Sequence, residues 1–198
     1  MEPAKLSYKI YQGSTFTETL RWESETKAYM PISGITQAAP CVITTTSTHT
    51  VPLNWRVRVT GVNGMKDINT ISDDAYYLVT GKSTNTVTLN QVNSAAYAAY
   101  TSGGILSWNT PVPLTGYTAQ MQIRETLESE TVIAELTTSN GRIIIDPINY
   151  TISMNLPASL TRTFEFDSAV YSMELTDNQS LVYQFLNGSI SLVKEVTR

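Results

Sequence analysis

The chain has 198 residues, 41% of them hydrophobic and only 15% charged, with 13 basic against 17 acidic residues for a net charge of −4. That is enough apolar material for one or two packed cores, while so sparse and balanced a charge offers neither a basic footprint for nucleic acid nor an acidic tail. A single cysteine, Cys41, excludes an internal disulfide and a cysteine-rich zinc site; with no membrane-length apolar run and no apolar signal core near the N-terminus, a soluble protein made in a cytosol is expected.

In chain order, Leu6–Ile10 alternates, Gln12-Gly13 breaks the pattern, and Thr15–Trp22 alternates again with Phe16, Leu20 and Trp22 available to one face. Glu23–Lys27 reads as a polar turn. Then comes Pro31-Ile-Ser-Gly34, echoed later by Pro113-Leu-Thr-Gly116, and the echo suggests the two rims of an insertion. Between the rims, strands are predicted at Val42–Thr46, Trp55–Thr60, Tyr76–Val79, Thr86–Leu89 and Gly104–Trp108, with turns at Gly61, Asn63-Gly64, Gly81-Lys82 and Ser102-Gly-Gly104. The alanine-rich Ser94–Tyr100 predicts a short helix.

The clearest strand is Tyr117–Arg124, where Tyr117, Ala119, Met121 and Ile123 share one side and Thr118, Gln120, Gln122 and Arg124 the other. Further strands are predicted at Val132–Leu136, Arg142–Ile145, Asn149–Leu156, Ala169–Leu175, Leu181–Phe185 and Gly188–Val193, with a helical turn at Pro157–Arg162. The expected fold is all-β: a discontinuous β-sandwich of residues 1–33 and 111–198 carrying a small inserted β-barrel-like module at 34–110.

Chemistry is harder to find. The sole histidine, His49, stands in a Thr/Ser run without metal-ligand spacing and reads as a solvated loop residue. Cys41 reads as a buried apolar thiol. Asp73-Asp74 reads as a solvated turn, because adjacent strand residues face opposite ways, and Glu125, Glu128 and Glu130 read as a polar hairpin loop. Gly61-Val-Asn-Gly64 lacks the third glycine of a dinucleotide loop, and its glycines are expected to take positive φ while Met65 and Ile68 tuck the loop onto the core. No catalytic, cofactor-binding or metal-binding residue is assigned, and no enzyme activity is expected.

Two resemblances emerge. Through Val59–Met65, Ile68-Asn69, Tyr77, Val87-Thr-Leu89, Ser94–Tyr97, Tyr100 and Ser102-Gly-Gly104, the inserted segment resembles a small β module that bacteriophage tail proteins share with the first catalytic-cysteine half-domain of ubiquitin-activating enzymes. Only the fold is implied, since Cys41 stands in no nucleophile motif. The outer part, through Gln12–Phe16, Leu20-Arg-Trp22, Leu114–Ala119, Met121–Arg124, Leu136-Thr-Thr138, Gly141, Tyr171–Leu175, Gly188 and Glu195–Arg198, resembles phage virion proteins of the tail and baseplate-upper-protein type.

These resemblances imply a structural virion protein of the tail, baseplate or neck, made in the host cytoplasm and acting through contacts with other virion proteins. A homo-oligomer or several symmetry-related copies would be present, with no nucleic-acid or membrane partner. Charged residues near strand ends, such as Lys9, Arg21, Lys194 and Glu195, would keep edges from pairing at random. The alternative is a carbohydrate-binding module of a tail or head fibre, stacking host sugars on exposed Trp55, Trp108 or paired tyrosines.

Overall fold

A computed structural model describes residues 2–196. Met1, Thr197 and Arg198, the last two closing the Glu195–Arg198 stretch noted above, lie outside the described residues. Half of the chain is strand and 4% helix, with one sheet curled into a half-barrel. The fold is all-β and sandwich-like.

The chain opens with β1 (Ala4–Lys5), β2 (Tyr8–Tyr11) and β3 (Phe16–Arg21). It continues through β4 (Glu23–Ile35), β5 (Cys41–Thr45), β6 (Arg56–Asn63), a 3-10 turn at Lys66–Ile68, β7 (Tyr77–Leu78), β8 (Gly81–Lys82), β9 (Thr86–Leu89) and β10 (Ser102–Pro111). After that come β11 (Thr118–Arg124), β12 (Ala134–Thr137), β13 (Ile143–Asp146), β14 (Thr151–Leu156), the one-turn helix α1 (Ala158–Thr161), β15 (Ser168–Thr176) and β16 (Val182–Val193).

Two compact units result, one of residues 1–22 with 113–198 and the other of residues 23–112. The boundaries read from sequence, 33/34 and 110/111, therefore shift. Glu23–Lys27 is not a turn but the first part of β4, which pairs antiparallel with β10 from Pro31↔Ile105 to Glu23↔Pro111. Main-chain pairing draws Glu23–Lys27 into the inserted unit although their side chains carry no apolar alternation, which begins only with Ala28, Met30 and Ile32 on one side of β4. The Pro31–Gly34 echo consequently lies inside β4 and marks no rim.

In the discontinuous unit, one sheet has the order β1-β16-β15-β11-β12, with β2 also on β16, and a second has the order β13-β14-β3. β16 is one strand where two were predicted, with a register shift opposite Met173/Glu174. Strict alternation gives the first sheet an apolar face: Met121 stands opposite Met173 on one side and Leu136 on the other, and Met173 opposite Leu186. All four are buried, as are Ile152, Met154 and Leu156 of the second sheet. Fully burying each such side chain contributes about 1.5–3 kcal/mol.

The inserted unit is one sheet ordered β7-β6-β10-β4-β5-β9-β8. Its core includes Ile43, Val57, Val59, Leu89 and Leu106, with Met65 and Ile68 fully buried beneath the loop whose glycines, Gly61 and Gly64, take positive φ. The predicted helix at Ser94–Tyr100 does not form. Tertiary bonding overrides alanine propensity there: buried Ser94 donates its hydroxyl to the Thr36 and Ala38 carbonyls at 2.6 and 3.0 Å, and Gln37 Nε2 donates to Tyr97 O at 2.7 Å. The 94–100 segment is thereby tied down as an irregular strap.

Candidate functional site

β6 alternates in earnest. Val57 and Val59 enter the core, which leaves Arg56 and Arg58 on the opposite face. In the β6-β10-β4 register Arg58 lies opposite Ser107, Ser107 opposite Tyr29, and Asn109 opposite Lys27, so these side chains share the outward face. The loop between the 3-10 turn and β7, turned by a bond from Ala75 N to Ser72 O, adds Asp73, Asp74 and Tyr76. With Glu23, and without Tyr29, they line a groove of about 450 Å³.

Its charges are partly spent. Arg56 grips Glu23 with both prongs, Nε donating to Oε1 at 2.9 Å and Nη2 to Oε2 at 2.8 Å, a pairing that pushes the arginine's pKa further up. The Arg56 guanidinium carbon lies 5.1 Å from the centre of the Tyr76 ring. Arg58 Nη1 donates to Asp73 Oδ1, yet Arg58 Nε is buried without a hydrogen-bond partner. Among the described residues Lys27 and Asp74 form no ion pair.

A second groove, also about 450 Å³, lies on the outward face of β11, β15 and β16. Its one cation is committed: Arg124 donates to Ser129 O at 2.6 Å and to Gln122 Oε1 at 2.8 Å. The groove on the inserted unit retains more bonding capacity and is the stronger candidate. No protein-family model matches the chain, and no curated protein matches it.

The residues singled out from sequence do not assemble. His49 is only 7% exposed rather than solvated. Val51 N donates to its Nδ1 at 3.3 Å, so Nδ1 is the acceptor and Nε2, 3.0 Å from Thr86 O, carries the proton. The ring fastens the 46–51 loop to the β8-β9 hairpin. Cys41 is fully buried, and burial pushes its thiol pKa up and keeps it protonated. Asp73 is exposed and ion-paired, while Glu125, Glu128 and Glu130 are exposed in the connection after β11. Among the described residues no group of three His, Cys, Asp or Glu side chains could hold a metal ion, and no helix is long and apolar enough to cross a membrane.

Trp55 and Trp108 are 0% and 4% exposed, so neither can stack a sugar in solvent. Both are core residues because β10 turns Trp108 to the same side as Leu106, and Trp55 Nε1 donates inward to Asn109 O at 2.7 Å. Trp108 contributes to the groove wall while almost entirely buried, and the exposed aromatic ring of the groove is Tyr76, 52% exposed. In the sequence Tyr76 is only the first residue of a predicted strand, and its place beside Arg56 is what distinguishes it.

Proposed function

We propose that the chain is a structural component of a bacteriophage virion, an accessory or adaptor protein of the tail, baseplate or neck. It works through protein-protein contacts and is present in several symmetry-related copies. The resemblances of both parts of the chain to phage tail modules support this reading.

The structural observation that carries it is the edge strand β13. It pairs with β14 on one side only, its sequence is Ile143-Ile-Ile-Asp146, and Ile144 is 60% exposed. Three isoleucines in a row favour strand, and although the strand is short and bounded by Arg142 and Pro147, one side of Ile143–Ile145 has no strand partner among the described residues, which leaves it a template for another chain. A neighbouring virion protein that adds a strand there would satisfy the free main-chain groups and cover Ile144.

Mass spectrometry of purified particles tests the proposal. The protein should be present in stoichiometric amount, and Ile143–Asp146 should gain protection from hydrogen exchange on assembly. Absence from particles with abundance in the infected cytoplasm would overturn it.

A further inference from the structure

We propose that the groove on the outward face of β4, β6 and β10 binds an acidic saccharide. The site does not depend on the virion reading, since the same side chains would bind the same ligand on any protein.

The ligand class follows from which bonding groups remain. Three cations, Lys27, Arg56 and Arg58, face three carboxylates, Glu23, Asp73 and Asp74, so the groove has no net charge to draw in a polyphosphate or a nucleic-acid backbone. Among the described residues the groups left for a ligand are of both kinds: the Lys27 ammonium donates and the Asp74 carboxylate accepts. Hydroxyls, which both donate and accept, match such a mixed set, and a single ligand carboxylate placed between Lys27 and Arg58 completes it.

Shape points the same way. β10 is paired on both sides, by β6 and by β4, so the groove floor presents side chains and has no free edge to which a peptide could add as a strand. The half-exposed Tyr76 ring, braced by the Arg56–Glu23 clamp, offers a flat π face to the C–H face of a pyranose ring. A volume of about 450 Å³ lies within the range of small-molecule sites.

Calorimetric titration of the full chain with sialyllactose, trigalacturonic acid, lactose and a short glutamate peptide tests the assignment. At least one acidic saccharide should bind saturably with a Kd of about 1 mM or tighter. Tyr76→Ala and Arg58→Gln should each weaken it about tenfold, while Gln184→Ala in the second groove leaves it unchanged. If Arg58→Gln fails to fold, Tyr76→Ala, at an exposed position, decides. No binding of either acidic saccharide, equal binding of lactose or of the glutamate peptide, or binding indifferent to Tyr76→Ala would each overturn the proposal.

Discussion

The Leu6 carbonyl oxygen stands where a β-carbon on Gly188 would have to be. The Tyr171 hydroxyl donates to that same oxygen at 3.0 Å, and Tyr171 lies opposite Gly188 in the β15-β16 ladder. β1 and β2 run parallel to β16 with Leu6 and Ser7 between them, so the N-terminal segment seals the edge of β16 only because residue 188 has no side chain. Gly188→Ala should cost about 1–3 kcal/mol or more by overpacking. Chemical denaturation checks the loss, and raised hydrogen exchange at residues 8–11 should accompany it. A fully stable variant with unchanged exchange would show that Leu6 can move aside freely.

Tyr8 and Tyr171 sit with ring centres 5.3 Å apart but should respond oppositely to loss of their hydroxyls. The Tyr8 hydroxyl lies against Tyr171 yet is buried without a hydrogen bond of good geometry, whereas Tyr171 holds Leu6. Tyr8→Phe should be neutral or slightly stabilising, and Tyr171→Phe should cost about 1–2 kcal/mol. Burial, with the charge of Glu18 adding to it, pushes the Tyr8 pKa up to about 12 and raises that of Tyr171 further. A free tyrosine ionises near 10. The folded state therefore holds protons that the unfolded state releases, so stability is intact below about pH 10 and falls as pH rises from there through about 12. Urea melts at roughly pH 8 and 11 should show that decline, and a shallower one for Tyr8→Phe. Equal stability of the wild-type protein at the two pH values would contradict the argument.

His49 is a structural residue in this fold, and its replacement should be felt in stability. His49→Phe leaves Val51 N–H and Thr86 C=O without their partner, at a cost of about 1–3 kcal/mol. In the intact protein the ring should react slowly with diethylpyrocarbonate and reach the rate of free imidazole only in denaturant. Rapid modification of the native protein would mean that the ring is not held as described.

The insertion should be removable. Glu23 and Pro111 are partners in the β4-β10 ladder, so residues 23–112 begin and end on adjacent strands about 4.5–5.5 Å apart. Joining Trp22 to Pro113 through a short glycine-serine linker should leave a cooperatively unfolding protein whose one remaining tryptophan, Trp22, reports the transition. A product without cooperative unfolding would show that the discontinuous unit depends on the insertion.

How much could be read in advance depends on what each residue's side chain does locally. Tyr117–Arg124 was legible because alternation of apolar and polar residues is itself the physical requirement of a half-buried strand, and Met121 and Ile123 are buried as that period demands. The turn glycines Gly61 and Gly64 were legible because positive φ selects glycine. Glu23–Lys27 was not: its side chains are polar throughout, and what makes it a strand is main-chain pairing with a partner more than eighty residues away. His49 and Ser94 were misread for a similar reason, since their bonds run to Thr86 and to Thr36 and Ala38, groups no local pattern connects to them.

The sequence by itself determined alternating strands such as Tyr117–Arg124, the all-β class and which face of each alternating strand is apolar, because those follow from period and propensity within a few residues. Only the tertiary structure decided that β4 begins at Glu23, that Trp55 and Trp108 are core, that β13 is left as an edge, and that Glu23, Lys27, Arg56, Arg58, Asp74 and Tyr76 meet in one groove. Strand order and cross-strand register place those residues side by side, and both are set by contacts between segments far apart in the chain.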